Sequence, residues 1–143
     1  MQARVYHLQL NVRDAGVSLP FYRALLGYLD YRVTYETADV LGMSNGTTDF
    51  WLIAAPAERR RHAPHRKNPG LNHVALRVAA RADVDRFHEE FLRARGLPAL
   101  YGGPREYPEY RPGYYAVFFE DPDRLKLEVV HIPIRHGIDE SAL

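Results

Sequence analysis

The 143 residues amount to one ordinary domain's worth of chain, enough to bury a single sizeable core. Hydrophobic residues make up 46% and charged residues 26%, which excludes a disordered tail or a low-complexity protein, and a formal charge of +1 gives neither nucleic acid nor an anionic membrane a general electrostatic hold. With no cysteine there is no disulfide framework, thiol nucleophile or thiolate metal site, so any metal must be held by His, Asp or Glu. The opening MQARVYHLQLNV lacks the apolar core of a signal peptide, and no stretch is apolar for the roughly 18 residues of a membrane span, so a cytoplasmic location is expected.

The first predicted element is a strand. In His7-Leu8-Gln9-Leu10-Asn11-Val12 the alternation puts Leu8, Leu10 and Val12 on one face and His7, Gln9 and Asn11 on the other. A helix follows over Asp14–Leu26, with Val17, Phe21, Ala24 and Leu25 apolar and Gly27 as its stop. Three β-prone segments come next: Tyr31–Glu36, Val40–Ser44 and Phe50–Ala54.

The pattern then repeats at an offset of 66 residues. His73-Val74-Ala75-Leu76-Arg77-Val78 alternates like the first strand and also begins with histidine. A helix is expected over Ala82–Ala94, with Val84, Phe87, Phe91 and Leu92 apolar and Gly96 beyond it. The segments Ala99–Tyr101, Tyr114–Phe119 and Leu125–His131 are β-prone. Both halves read as βαβββ, with boundaries at 1–55 for the first module, 56–69 for a proline-punctuated basic linker, 70–134 for the second module and 135–143 for a C-terminal tail. The linker's arginines lack interleaved aromatics and read as a solvated connection, not a nucleic-acid site. The stretch Tyr101–Tyr115 is rich in Tyr, Gly and Pro without a period and reads as a long loop, the kind of segment that forms lids and binding loops.

Two histidines on equivalent strand faces could meet if the modules pack about a pseudo-two-fold axis. The last strand sets Glu128 opposite Leu125, Leu127 and Val129, an unusual carboxylate inside a β-run. His7, His73 and Glu128 together have the composition of a facial-triad metal site with open positions. Of the remaining histidines, His62 and His65 fall in the linker, His88 on a helix, His131 opposite Glu128 and His136 in the tail.

These residues resemble the vicinal oxygen chelate superfamily of glyoxalases, bleomycin-resistance proteins and dioxygenases. HLQLNVRDAGVSLPFYRALLGY is similar to its opening strand and helix, LNHVALRV to the start of its second module, and Phe119-Glu120-Asp121-Pro122-Asp123 followed by Leu127-Glu128 to its closing element, with Arg124 in place of the usual glycine. The resemblance implies an α+β fold in which two βαβββ modules pair into a curved eight-stranded mixed sheet enclosing a cleft. It implies a divalent cation, Zn, Ni, Mn or Fe(II), held by His7, His73 and Glu128, with Glu128 also the available base. A fourth ligand position on the last strand of module one falls near Trp51 or Leu52, neither of which binds a cation. The expected partner is a small oxygen-chelating substrate, met by Trp51, Arg77, Tyr107, Tyr110 and Tyr115, and the expected assembly is a homodimer. The reaction is a lyase or isomerase, transferase or dioxygenase type. The alternative is a metal-free protein that sequesters a small molecule, as bleomycin-resistance members do.

Overall fold

The computed structural model describes residues 3–61 and 65–133. His62 and the tail from residue 135, His136 included, lie outside them. The chain divides into two compact units, residues 1–63 and 64–143.

In the first unit, strand β1 (His7–Val12) leads into helix α1 (Ala15–Tyr28), followed by β2 (Arg32–Glu36), β3 (Val40–Ser44) and β4 (Asp49–Ala54). The sheet order is β1-β4-β3-β2, with β1 parallel to β4 and the other pairs antiparallel. Asp14 starts α1 because its carboxylate accepts from the Gly16 N–H at 2.9 Å, satisfying a donor that the first turn leaves free. The helix buries Leu19, Tyr22, Leu25 and Leu26 against the sheet face of Leu41, Met43, Phe50 and Leu52. This corrects the expected stripe: Val17 is 55% exposed. Apolar residues occur on several sides of α1, so periodicity alone does not choose which side is covered. The helix also runs past Gly27, and the left-handed residue that ends it is Asp30, at φ 64°. On the outermost strand β2 all five residues are exposed, and its register slips between Val33 and Tyr35.

The second unit repeats the plan. Strand β5 (His73–Arg77) is followed by α2 (Arg81–Phe87), whose axis continues through a π-helical turn (His88–Leu92) and a 3-10 turn (Arg93–Arg95) to Gly96 at φ 65°. Strands β6 (Ala99–Glu106), β7 (Tyr115–Glu120) and β8 (Lys126–His131) complete a sheet ordered β5-β8-β7-β6. Val84, Phe87, Phe91 and Leu92 form the buried helical side, with Phe87 stacked on Phe91 at 5.1 Å and tilted against Phe119 at 5.4 Å. All eight expected strands are present, hydrogen-bonded as two four-stranded mixed sheets.

Nearly half of the stretch expected to be a long loop is strand. β6 extends to Glu106 because three successive left-handed residues, Tyr101, Gly102 and Gly103 at φ 58°, 86° and 101°, form a bulge that shifts the register between Leu100 and Arg105 and lets pairing with β7 resume. Only 107–114 remains as a connection, and its backbone is bonded to itself, the Tyr107 N–H donating to the Tyr114 carbonyl at 2.9 Å.

Candidate functional site

The second sheet has two unlike faces. One packs on α2. The other carries the even-numbered residues of β7 and β8, and on it Tyr107, Ala116, Phe118 and Val130 form a separate apolar cluster flanked by Leu100, Tyr114 and Ile132. Register places Glu128 in this face, between Ala75 of β5 and Phe118 of β7.

Glu128 is completely buried. A charged group in such a place needs a partner for each oxygen. Oε1 has one: the Tyr114 hydroxyl donates to it at 2.5 Å, the short distance of a charge-assisted bond. Oε2 accepts no hydrogen bond. Nε2 of His73 lies 3.1 Å from it, within ion-pair reach, but without the alignment of a donated bond. Burial pushes the Glu128 carboxyl above its ordinary range, opposed by the Tyr114 bond and by the nearby charges of His73 and Lys126. Burial and the same bond push the Tyr114 phenol up, so it remains a donor.

His73 is held from its other side. Its Nδ1 is 2.8 Å from Oδ1 of Asn72, and the Asn72 amide is oriented by donating from Nδ2 to the Arg66 carbonyl at 2.9 Å. The amide oxygen can only accept, so Nδ1 carries a proton, and in the neutral ring the Nε2 lone pair faces Glu128 Oε2. Two electron-rich atoms side by side are the arrangement a cation relieves, and an imidazole fixed through its outer nitrogen is how metal-binding histidines are commonly held.

The other expected residues are distributed as follows. His7 is exposed on β1, in the face opposite α1, beside Asp49 of β4. Among the described residues no three His, Asp or Glu side chains gather into one group. Trp51 lies on the same face of its sheet, half-buried, tilted against Tyr35 at 5.9 Å and packed flat on Gly42. Arg77 is exposed and donates to the Ile132 carbonyl at 3.1 Å. Tyr107 is 2% exposed and stacks on Tyr110, which is 62% exposed. The Arg105 guanidinium lies over the Tyr107 ring at 4.3 Å, and its interaction with that phenol holds the guanidinium charged. Tyr115 points to the helix side of the sheet, opposite Glu128, where its hydroxyl donates to Asp85 at 2.6 Å and titrates at about 12 because of burial and that bond. The closing turn is held by Asp121, whose carboxylate accepts from the Asp123 and Leu125 N–H groups, while Arg124 adopts φ 67° where the resembling pattern has glycine.

Sequence reasoning missed Asn72 and Tyr114. Asn72 had a signal, adjacency to a ligand-like histidine. Tyr114 had none that set it apart from its neighbouring tyrosines.

The Glyoxalase/Bleomycin resistance protein/Dioxygenase superfamily model matches residues 4–129, and the chain belongs to that family. It is 34% identical over 128 residues to YqjT of Bacillus subtilis (strain 168), an uncharacterized protein, covering 88% of this chain and 97% of that one. Among solved structures, a candidate glyoxalase from Bacillus halodurans superposes with a TM-score of 0.81 at 33% identity, covering 92% of this chain and 97% of its own. Lactoylglutathione lyase from Agrobacterium tumefaciens matches with a TM-score of 0.66 at 19% identity, covering 91% and 94%, a likeness of fold.

Proposed function

We propose that the chain is a metal-dependent enzyme that binds one divalent cation through His73 and Glu128, with His7 as third ligand, and acts on a small oxygen-chelating substrate. The observation that carries this reading is the second oxygen of Glu128, buried, without a hydrogen bond from the described residues, and faced at 3.1 Å by Nε2 of His73. Support for His7 comes from the repeat: it stands on β1 where His73 stands on β5, at the same end of the same strand of an identically ordered sheet.

When bound, a divalent ion would supply Lewis acidity toward two neighbouring substrate oxygens. The protein's own residues do the rest. Glu128 is the carboxylate set in the apolar face between Ala75 and Phe118, and it is proposed as the group that takes or returns a proton. The rings of Tyr107, Tyr110 and Phe118 give that face an apolar character that excludes water, and exposed Tyr110 is placed to meet a substrate's carbon skeleton. Trp51 and Arg77 are proposed as further substrate contacts. Tyr115 is left out because its hydroxyl is engaged on the helix side. A nitrogen and carboxylate set suits Zn, Ni, Mn or Fe(II), so the metal found decides whether isomerase, transferase or dioxygenase assays come first. The same reading has the chain act in the cytoplasm as a homodimer, which light scattering tests.

The test is elemental analysis of the purified, untagged protein beside His7→Ala, His73→Ala and Glu128→Ala chains prepared identically. About one metal per wild-type chain, lost from the variants, is the expected result. No metal, and none taken up from added Mn, Ni, Zn or anaerobic Fe(II), would replace this reading with that of a metal-free binding protein.

A further inference from the structure

We infer that Tyr114 is a positioning residue for Glu128: by holding Oε1 it makes the carboxylate offer a single oxygen, Oε2, to a cation. The inference rests on the metal reading above and goes beyond it by assigning how the ligand is aimed. A carboxylate buried in an apolar face has a soft final torsion, and with both oxygens free it would turn toward whichever arrangement neutralised it, including chelation through both. The 2.5 Å bond from Tyr114 removes that freedom.

The tyrosine can do this because it is itself fixed. It is the last residue before β7, its N–H donates to the Arg111 carbonyl at 3.2 Å and its carbonyl accepts from Tyr107 at 2.9 Å. Its ring meets Tyr110 edge-on at 5.4 Å and Tyr107 at 6.3 Å, and those two rings are stacked within 6° of parallel. The hydroxyl therefore sits at the end of a lever clamped by two other rings. Each of the two proposed ligands in this unit then has one dedicated partner, Asn72 for His73 and Tyr114 for Glu128, and each partner engages the atom that faces away from the other ligand.

The experiment titrates the full chain with Zn(II) and with Co(II), as wild type, Tyr114→Phe and Tyr107→Phe. Tyr107→Phe is the control, since it removes a hydroxyl from the same cluster that makes no bond to Glu128. Tyr114→Phe is expected to weaken Zn(II) binding roughly 10- to 100-fold, the usual effect of deleting a ligand's supporting hydrogen bond, and to change the visible absorption of the Co(II) form. Tyr107→Phe is expected to change neither. Loss of packing alone would lower the melting temperature of either variant without altering the Co(II) spectrum. In wild type, the infrared difference spectrum on Zn(II) loading is expected to show the wide carboxylate splitting of one-oxygen ligation. Unchanged affinity and Co(II) spectrum in Tyr114→Phe would overturn the inference while leaving the metal reading intact, and so would a narrow splitting in wild type. A wild-type chain that takes up neither ion overturns both. If Tyr114→Phe fails to fold, the wild-type infrared measurement decides.

Discussion

Trp51 and Glu128 hold the same register position in two sheets of identical strand order: Trp51 lies beside Gln9, Glu128 lies beside Ala75, and Gln9 and Ala75 are separated by the 66-residue repeat. A position that carries a buried carboxylate in one unit carries an indole in the other. The two halves share one scaffold and carry different chemistry at this position.

The indole occupies its place because Gly42 has no side chain. A Cβ at residue 42 would come within 2.9 Å of the Trp51 ring, closer than such atoms approach in practice. Gly42→Ala is therefore expected to displace the indole and cost about 1–3 kcal/mol, the usual penalty of overpacking. Trp51 is the chain's one tryptophan, so a shift in its emission together with a lower urea midpoint checks both parts.

Asn72→Ala is expected to release the tautomer of His73. In wild type the imidazole proton should sit on Nδ1, held by the Asn72 oxygen at 2.8 Å, and in the variant the two forms should mix. Nitrogen-15 shifts of the His73 ring in metal-free protein read this directly. A wild-type ring protonated on Nε2 would contradict the assignment.

Phe87→Ala should be among the most damaging single changes. The ring is 1% exposed and lies between Phe91 and Phe119. Its removal leaves a cavity in the helix-side core, at a cost of about 3–5 kcal/mol. Against the roughly 5–15 kcal/mol total of ordinary domains, equilibrium denaturation should show a large fall in midpoint.

Stability should weaken in acid partly through Glu120. Burial of this carboxyl disfavours its charge, but the hydrogen bond from Arg66 at 2.5 Å and the positive charge of Arg124 outweigh burial, and its pKa is lowered from the ordinary 4.5. The unfolded chain then takes up the proton first, so the stabilisation is present above the ordinary value and disappears as the pH falls through the folded one. Glu120→Gln should lower stability at neutral pH by up to about 1 kcal/mol, as expected for a partly solvated ion pair, with the gap from wild type closing in acid. Chemical denaturation of both chains across that range is the measurement.

The strands and their succession along the chain were legible where local pattern and burial agree. Val40–Ser44 needed no adjustment, and the repeat of His7–Val12 by His73–Arg77 exposed the two-unit plan before any packing was known. Legibility failed where the decisive contact is not local. Nothing in α1 says whether Val17 or Tyr22 faces the sheet, since both are apolar and only the sheet chooses. The glycines of β6 look like a loop because a bulge uses the same residues that a turn does. At the candidate site, alternation showed that His73 and Glu128 lie opposite the apolar faces of their strands, whereas their approach across β5 and β8 depends on register and the bond from Tyr114 on how a hairpin folds back over the sheet.

The slipped registers of β2 and β6 have a consequence for how the chain behaves at high concentration. Each is a terminal strand of its sheet's order among the described residues, the kind of edge on which strands of other molecules can grow. The interruptions at Val33/Tyr35 and Leu100/Arg105 deny such a newcomer a straight ladder, and the charges of Arg32, Glu36, Arg105 and Glu106 flank the gaps. Irregularities that look like defects in two strands therefore make those two edges poor templates for a regular added strand.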